Sequence, residues 1–433
     1  MSIEARLREA TGRFSTVRAL GRDPSALSFE RVVSPTEAVL EGQDVLLFGT
    51  NNYLGTTMDP GCIEAAVSAT RSLGVGTTGS RIANGTYGGH RELERRMAAF
   101  YGRRSAIVFS TGYLANLGTI CALAGRGDQI LIDADSHASI YDACKMSGSE
   151  IIRFRHNSAA DLERKLARLE GREGMRFVVV EGIYSMLGDT APLAEIAEVK
   201  RKAGPEVCLI VDEAHSLGVL GPTGRGQAEA LGVEADCDVI VGTFSKSLGT
   251  IGGFCVSDIA GFDAVRALSR PYMFTASGSP GVAAAAIAAI ERVEREPALR
   301  TRLWKNVARL YGGLQAMGLQ LGPEPSPVVG VVCPDLTTAV MLWNGLIDRG
   351  LYTNIALPPA TPNGWALLRV SVSSAHTDGQ IDRALAIFGE AAGALGLSSG
   401  GPGAEAISAG APAATVAAAP EAPRERASGA ATP

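Results

Sequence analysis

The sequence predicts an α/β protein with a largely parallel β-sheet and a smaller α+β domain. From residue 105 onward, short runs of β-branched and apolar residues alternate with helical stretches, which is typical of parallel sheets with helical connections. After an alanine-rich helix at about 281–296 the pattern changes to separate helices and strands. A chain of 433 residues is long enough for a substantial core and for more than one domain.

The N-terminal segment is expected to form an amphipathic arm. Leu7, Phe14, Val17 and Leu20 are spaced to make one helical face, and a short extended segment follows them. Arms of this kind often pack on a partner subunit. The predicted organisation of the chain is an arm at 1–45, a large domain at 46–290, a small C-terminal domain at 291–396 and a disordered tail at 397–433.

The large domain is predicted to contain strands at 105–110, 129–133, 150–155, 176–181, 207–212, 238–243 and 253–257. Helices are predicted near 113–124, 138–147, 160–170 and 192–203. Too few residues separate Thr243 from Gly253 for a helical crossover. The last two strands are therefore expected to be antiparallel.

The small domain is predicted from helices at 298–317, 337–348 and 378–395 and from strands at 328–333, 352–356 and 366–372. From Leu397 onward the sequence is mainly Ala, Gly, Pro and Ser. Such a segment cannot bury enough apolar surface to offset the entropy of ordering, so a disordered tail is expected.

Composition limits the classes of partner and compartment. The net charge of -5 gives no reason to expect nucleic acid or an anionic membrane surface as a partner. The N-terminus lacks the apolar segment of a secretory signal, and the longest apolar run, Val282–Ile290, is too short to span a bilayer, so we expect a cytoplasmic protein. The 7 cysteines form no C-x-x-C pair, which argues against a disulfide framework and a structural zinc site.

A glycine-rich segment, Gly74–Gly79, fits the pattern G-x-G-x-x-G of dinucleotide-binding proteins. That fingerprint requires a strand before it and a helix after it. Here a helix is predicted before it, at 63–73, and no suitable second strand follows. We therefore expect a loop that lies close to another backbone or to a substrate, because glycine permits such approach.

Polar residues follow several predicted strands, where the ligands of open α/β sheets bind. Ser110-Thr111-Gly112-Tyr113 opens a helix whose free N–H groups can bind a phosphate, or it is an ordinary helix cap. His137 can stack on a planar ligand or carry a proton, or it is a hydrogen-bonded structural histidine. Asp133 and Asp135 have no accompanying His or Glu cluster, so no metal is expected. Ser185 offers a hydroxyl after the fourth strand.

The fifth and sixth strands end in charged and hydroxyl side chains. A carboxylate such as Asp212 is unfavourable after an apolar strand unless it meets a positive partner, for example a protonated pyridine nitrogen. His215 can then reach a phenolic oxygen of the same ring, and a structural Asp-His pair is the alternative. The sixth strand delivers Thr243, Ser245 and Lys246, and a buried lysine amine can form a Schiff base with a carbonyl. Taken together, these strand ends are what a single pyridoxal phosphate site needs.

Further motifs accompany these residues: Gly79-Ser80-Arg81, Asn84-Gly85-Thr86, Asp135-Ser136-His137-Ala138-Ser139, Asp212-Glu213-Ala214-His215, Gly242-Thr243-Phe244-Ser245-Lys246-Ser247, Pro271-Tyr272-Met273-Phe274-Thr275-Ala276-Ser277 and Pro358-Pro359-Ala360-Thr361-Pro362. Over nearly all of residues 30–396 the chain resembles the α-oxoamine synthase family of fold-type I pyridoxal phosphate enzymes. The Asp-His and Ser-Lys motifs are common to the family. Asn84-Gly85-Thr86 and Arg270-Pro271-Tyr272 resemble its serine-using branch.

The resemblance implies a fold-type I transferase with a seven-stranded, mainly parallel sheet, and a homodimer with the active site at its interface. Lys246 would hold the cofactor as a Schiff base and later move the α-proton of the substrate. Asp212 would keep the pyridine nitrogen protonated, and His215 would bond the ring hydroxyl. His137 would stack on the ring and orient the amino acid carboxylate.

The same resemblance assigns other pocket residues. Those of the cofactor pocket are Gly112, Tyr113, Ser185, Thr243, Ser245 and, reaching a phosphate across the dimer interface, Thr275. Those that face the substrate are Asn52 and Arg369. Arg369 also interrupts a predicted apolar strand. An arginine there is unfavourable without an anionic partner, and binding of a substrate carboxylate would supply one.

The implied activity is a decarboxylative condensation of L-serine with a long-chain acyl thioester, giving 3-ketodihydrosphingosine in the first step of sphingolipid synthesis. The alternative within the family uses glycine or alanine, or an acyl group on a carrier protein. Gly278-Ser279-Pro280 and Tyr87-Gly88-Gly89-His90 depart from the relatives' pattern, so acyl length and carrier stay open. Peripheral membrane contact, for release of a lipid product, also stays open.

Two rivals come from other classes of protein. One is a catalytically silent binding subunit of the same fold, against which the presence of Lys246 argues. The other is a Rossmann-type oxidoreductase, which would bind a nicotinamide cofactor.

Overall fold

The computed structural model describes residues 2–12, 15–358 and 360–397. Phe14, Pro359 and the predicted disordered tail, apart from Leu397, lie outside the described residues. Within those residues, no helix combines the length and the apolar character needed to cross a lipid bilayer.

The strands in chain order are β1 (Phe29–Ser34), β2 (Glu37–Leu40), β3 (Gln43–Leu47), β4 (Ser105–Phe109), β5 (Gln129–Asp133), β6 (Glu150–Phe154), β7 (Arg176–Glu181), β8 (Val207–Asp212), β9 (Val239–Thr243), β10 (Gly253–Ser257), β11 (Gln320–Leu321), β12 (Val328–Cys333), β13 (Leu351–Tyr352), β14 (Asn354–Ala356) and β15 (Ala366–Ser371).

The helices are α1 (Ile3–Gly12), α2 (Ser15–Ala19), α3 (Pro60–Leu73), α4 (Gly88–Tyr101), α5 (Gly112–Leu123), α6 (Ala138–Ser147), α7 (Ala159–Ala167), α8 (Leu193–Ala203), α9 (Gln227–Ala230), α10 (Val265–Leu268), α11 (Arg270–Phe274), α12 (Pro280–Arg295), α13 (Ala298–Ala316), α14 (Leu336–Asp348) and α15 (Asp378–Ala394). Short 3₁₀ turns lie at Thr56–Met58, Glu234–Asp236, Phe262–Ala264 and Pro362–Gly364.

The central sheet has seven strands in the order β4-β10-β9-β8-β7-β5-β6. The strands from β9 to β6 are parallel to one another. β10 is antiparallel to both of its neighbours, β9 and β4. These findings confirm the α/β prediction, including the antiparallel pair that follows from the short connection after Thr243.

Helices cover both faces of this sheet. Every residue of β5, β7, β8 and β9 is buried, as expected of parallel strands between two helical layers. In β9, Val239 and Val241 pack in the core that includes residues of α5 and α6, whereas Ile240 packs in the larger core on the other face. The two layers leave the carboxyl ends of the strands as the place where loop residues meet.

The C-terminal part of the chain forms an antiparallel sheet of order β11-β12-β15-β14. The strand predicted at 352–356 is divided in two, because the chain passes from one sheet to another at Thr353. β13 pairs in parallel with β3, and β14 pairs with β15. Arg369, on β15, is paired with Gly330 and Asn354, and its guanidinium donates to the carbonyl oxygen of Ser185, which follows β7 of the large sheet.

The N-terminal segment differs from the helical arm that was expected. Its helical part is divided into α1 and α2, with Val17 buried and Leu7 61% exposed. The extended part forms a β1-β2-β3 meander that continues into β13. The extended segment that was expected is thus part of a sheet, and its partner β13 lies more than 300 residues along the chain, which local spacing does not show.

Candidate active site

The carboxyl ends of β7, β8 and β9 bring the predicted functional residues together. Glu181 and Asp212 are register partners at the ends of β7 and β8. Asp212 is also paired with Val241, two residues before the end of β9, and Lys246 lies on the loop that leaves β9. The strand register therefore sets two carboxyl groups and one amine at the same edge of the sheet.

Lys246 is half-buried at this edge of the sheet, and its surroundings lower the pKa of its amine. Desolvation lowers the pKa of its amine to about 8, although Asp212 and Glu181 oppose the change by attracting the charged form. Arg369 adds to the lowering by repulsion. With this pKa about one tenth of the amine is unprotonated at pH 7, far more than for an ordinary lysine, and the unprotonated form is the one that attacks a carbonyl.

The Asp212 carboxylate is buried and held by two donors. Its Oδ1 accepts a hydrogen bond from the backbone N–H of Ala214 at 2.9 Å, and its Oδ2 accepts one from Nδ2 of Asn116 at 2.6 Å. The side chain is only 5% exposed. A buried carboxylate with neutral donors alone is poorly compensated, so a cationic ring nitrogen would complete its environment.

His215 is held in one tautomer by Tyr53. The Tyr53 hydroxyl lies 2.7 Å from Nδ1 of His215, and it accepts a weaker bond from Arg369 at 3.4 Å. Burial raises the pKa of Tyr53, so its single hydroxyl hydrogen stays in place and points to the nearer acceptor, Nδ1. Burial lowers the pKa of His215 well below its usual range, and the neutral imidazole therefore carries its hydrogen on Nε2. That N–H is a donor suited to a phenolic oxygen.

Arg369 is a buried cation whose contacts are neutral. Its guanidinium donates to the Ser185 carbonyl oxygen at 2.5 Å, to Oδ1 of Asn51 at 2.9 Å and to the Tyr53 hydroxyl. The residue is 7% exposed, and no acidic side chain of the described ranges pairs with it. A carboxylate ligand would supply the missing counter-charge.

His137 begins α6 and is fixed through both its backbone and its ring. Its backbone N–H donates to Oε1 of Glu181 at 2.5 Å, and its Nδ1 lies 2.8 Å from the Ser139 hydroxyl. Desolvation lowers the pKa of His137, Asp212 opposes this change, and Lys246 adds to it. The residue as a whole is exposed, which is compatible with stacking of its ring on a planar ligand.

The start of α5 lies directly against the end of β9. A Cβ added to Gly112 would be 2.8 Å from Cβ of Thr243, so only glycine allows this approach. Oγ1 of Thr243 accepts from the backbone N–H of Ser245 at 3.2 Å and lies 2.9 Å from its hydroxyl. The free N–H groups of the first turn of α5 and these hydroxyls together form a cradle suited to a phosphate.

The remaining candidate residues occupy the surroundings of this cradle. Thr275 lines a small cavity together with Ser110 and Arg81. Tyr113 is 41% exposed and its hydroxyl donates to Asp142. Ser185 contacts Arg369 through its carbonyl oxygen, while its hydroxyl makes no bond with a described residue.

The side chain of Asn52 hydrogen-bonds to Thr57 and not to Arg369. Its Nδ2 donates to the Thr57 hydroxyl at 2.7 Å, and its Oδ1 accepts from the backbone N–H of Thr57. The neighbouring Asn51 supplies the amide oxygen that Arg369 contacts. The structure therefore brings Asn51 and Tyr53 to the clamp, whereas the sequence had singled out Asn52.

Other residues that contact the site were not predicted. Glu181 is 3% exposed, and desolvation together with the charge of Asp212 raises the pKa of its carboxyl group well above the usual range. Asn116 and Ser139 are bonded to Asp212 and His137. The signal for Asn116 was present in the sequence, since it is a polar residue in the otherwise apolar helix α5.

The residues present fit pyridoxal phosphate at four independent points. The Gly112–Thr243 contact could hold a phosphate, Asp212 offers a buried carboxylate suited to a protonated ring nitrogen, His215 offers an Nε2–H donor, and Lys246 offers an amine of lowered pKa. The described residues contain no group of three or more His, Cys, Asp and Glu arranged to hold a metal ion.

The sequences of known proteins agree with this fit to pyridoxal phosphate. A family model described as aminotransferase class I and II matches residues 43–388. The serine palmitoyltransferase of Caulobacter vibrioides is 56% identical over 384 residues, which cover 89% of this chain and 95% of that protein. The serine palmitoyltransferase of Sphingomonas paucimobilis is 52% identical over 377 residues, with 87% and 89% covered.

Solved structures agree in fold. The Sphingomonas wittichii serine palmitoyltransferase matches with a TM-score of 0.89 and 48% identity, covering 92% of this chain and 100% of that one. A solved structure of the same type of enzyme with a pyridoxal phosphate internal aldimine has a TM-score of 0.89 and 49% identity, with the same coverage. The chain therefore belongs to the aminotransferase class I and II family, in the α-oxoamine synthase branch that includes the bacterial serine palmitoyltransferases.

Proposed function

We propose that this chain is a pyridoxal phosphate-dependent acyltransferase that condenses L-serine with a long-chain acyl thioester. The products would be 3-ketodihydrosphingosine, carbon dioxide and the free thiol, in the first step of sphingolipid synthesis. The observation that carries the proposal is the 56% identity to a serine palmitoyltransferase over 95% of that protein. The site geometry supports it residue by residue.

The cofactor would be held at both of its ends. Lys246 would bind it covalently, Asp212 would pair with the ring nitrogen, and Gly112 with Thr243 would hold the phosphate. When bound, pyridoxal phosphate supplies an electron-accepting ring that stabilises negative charge at the α-carbon of an attached amino acid.

The chain's own residues supply binding, orientation and proton transfer. Arg369, which lacks an acidic partner among the described residues, would bind the serine carboxylate. Lys246, with its pKa of about 8, would take the α-proton after serine displaces it. His137, stacked on the ring, would keep the carboxylate oriented, and the donor at Nε2 of His215 would hold the ring oxygen.

The partners would be L-serine, an acyl thioester of coenzyme A or of an acyl carrier protein, and a second copy of the chain. Large exposed apolar residues support self-association: Val75 is 85% exposed, Ile82 is 56% exposed and Phe274 is 74% exposed. Val75 and Ile82 lie on one loop and Phe274 ends helix α11, and a β-bridge between Ser80 and Ala276 links that loop to the segment after α11. We expect this surface to lie in a homodimer interface next to Thr275, and the enzyme to act in the cytoplasm.

The experiment below also tests a second activity of the same family, that of the 8-amino-7-oxononanoate synthases. The 8-amino-7-oxononanoate synthase of Symbiobacterium thermophilum is 37% identical over 361 residues, covering 83% of this chain and 91% of that protein. Because this identity is much lower than the 56% and 52% of the serine palmitoyltransferases of Caulobacter vibrioides and Sphingomonas paucimobilis, we favour serine as the amino acid substrate.

The proposal is tested by mass spectrometry of the products from a matrix of amino acids and acyl thioesters. Serine, glycine and alanine would each be offered with palmitoyl-coenzyme A, shorter acyl-coenzyme A esters and an acyl carrier protein thioester. We expect a ketone from serine and a long-chain donor. A ketone from glycine or alanine alone would assign the chain to another activity of the family.

A further inference from the structure

We propose that Asn116 and Ser139 are positioning residues that join the Asp212 carboxylate to the His137 imidazole in one hydrogen-bonded unit. In the proposed cofactor site, Asp212 would pair with the ring nitrogen and His137 would stack on the ring. The inference rests on the proposed cofactor site, and it assigns to two unpredicted residues the task of keeping these contacts in register.

The amide of Asn116 uses both of its N–H hydrogens within the unit. Its Nδ2 lies 2.6 Å from Oδ2 of Asp212 and 3.0 Å from the Ser139 hydroxyl oxygen. An amide nitrogen has two hydrogens, and both are therefore directed to these acceptors. Rotation of the amide by half a turn would place its carbonyl oxygen against the carboxylate, where like partial charges repel.

The amide oxygen of Asn116 is buried and has no hydrogen-bond partner among the described residues. Asn116 is 3% exposed. Leaving a buried acceptor unpaired opposes folding, and an apolar residue of similar size would avoid that penalty. The asparagine is thus better explained by what its nitrogen does for Asp212 and Ser139 than by the packing of α5.

Ser139 connects Asn116 to His137 by hydrogen bonds. Its hydroxyl oxygen accepts from Asn116, so its own hydrogen is free to point to Nδ1 of His137 at 2.8 Å. The backbone N–H of Ser139 also donates to Nδ1, at 3.2 Å. Because Nδ1 accepts in both bonds, the neutral imidazole carries its hydrogen on Nε2.

Three members of the unit, Asn116, Ser139 and Asp212, are buried. Ser139 is fully buried and Asp212 is 5% exposed, so water does not compete effectively for these bonds. The unit also spans two elements that pack on each other, α5 and α6. Asn116 lies one turn after Gly112, so α5 would serve the phosphate with its first turn and Asp212 with its second.

The test uses Asn116→Leu, Ser139→Ala and Ser139→Thr, with Thr119→Val as the matched control. Thr119 is a fully buried residue of the same helix without a hydrogen bond to Asp212 or Ser139. Two measurements are made: the dissociation constant for pyridoxal phosphate, by absorbance titration, and the state of His137, by ¹⁵N NMR of histidine-labelled, cofactor-free protein. The chain has only 5 histidines, so the signal of His137 can be assigned by substitution.

Loss of a hydrogen bond to a charged group predicts a dissociation constant raised about tenfold or more in Asn116→Leu, and no change in Thr119→Val. In Ser139→Ala the Nδ1 signal of His137 should shift toward that of a weakly bonded nitrogen, and Ser139→Thr, which keeps the hydroxyl, should restore it. A structural role alone would lower thermal stability without moving these two readouts.

Wild-type affinity in Asn116→Leu together with an unchanged Nδ1 signal in Ser139→Ala would overturn the inference. If Asn116→Leu does not fold, the test rests on the His137 Nδ1 signal in Ser139→Ala and Ser139→Thr alone. Failure of the unaltered protein to bind pyridoxal phosphate would instead contradict the proposed function, and the NMR comparison would still test the hydrogen-bonded unit.

Discussion

Replacement of Lys246 by methionine should stabilise the cofactor-free protein. Burial lowers the pKa of the amine from 10.5 to about 8, which corresponds to about 3.4 kcal/mol of unfavourable free energy for the charged form. Methionine is unbranched and of similar length, so it fills the same space without a charge. The Lys246 amine is therefore expected to lower the free energy of unfolding of the cofactor-free protein.

The sign of the pH dependence follows from the direction of this shift. Between about pH 8 and 10.5 the unfolded state binds more protons at this lysine than the folded state does, so stability rises with pH over that window. Below about pH 8 the amine destabilises the fold by its full amount. The gain from Lys246→Met should therefore be about 3 kcal/mol at pH 7 and only about 1.4 kcal/mol at pH 9.5.

Urea unfolding of the two cofactor-free proteins at pH 7 and pH 9.5 measures this difference. Protein concentration must be equal throughout, because bound ligand and self-association both shift apparent stability. Lys145→Met, at an exposed position of α6, serves as the control and should change the free energy of unfolding little at either pH. Equal stability of Lys246→Met and wild type at pH 7, or a gain that does not shrink at pH 9.5, would refute the reasoning.

Three further substitutions test other parts of the site. Tyr53→Phe removes the hydroxyl bonded to His215 and Arg369, so we expect about tenfold weaker serine binding in a spectral titration. Gly112→Ala places a methyl group 2.8 Å from Cβ of Thr243, and cofactor affinity should fall at least about tenfold by absorbance titration. Phe274→Asp introduces a charge at a 74% exposed apolar position, and sedimentation velocity should show a weakened dimer.

For each of these three predictions, one result would contradict it. Unchanged serine affinity in Tyr53→Phe would remove Tyr53 from the carboxylate clamp. For Gly112 the control is Gly125→Ala, where an added Cβ meets nothing within 4 Å, and equal cofactor affinity in both variants would argue against the phosphate cradle. A dimer as strong in Phe274→Asp as in wild type would place the interface elsewhere.

The large sheet was predictable because its strands are short, buried on both faces and rich in β-branched residues. β5, β7, β8 and β10 have the predicted bounds, and β9 begins one residue later than predicted. Strand ends in one sheet share an edge, which is why Asp212 and Lys246 could be placed near each other before their distances were known.

Residues whose role depends on contacts far along the chain were not predictable in this way. Asn51 and Tyr53 reach Arg369 across more than 300 residues, a contact that the local sequence does not reveal. The β1-β2-β3 meander was missed as a sheet because its continuation, β13, is equally distant. Asn116 could have been suspected as a polar residue in an apolar helix, but its acceptor lies 96 positions away.

The central claim is that Lys246, at the end of β9, is the residue that holds pyridoxal phosphate. The most direct measurement is hydride reduction of the cofactor-loaded protein, followed by proteolysis and mass spectrometry of the labelled peptide. We predict loss of the visible absorbance on reduction and a cofactor-modified peptide containing Lys246. A label on another lysine, or a protein that stays colourless and unlabelled when given the cofactor, would contradict the account.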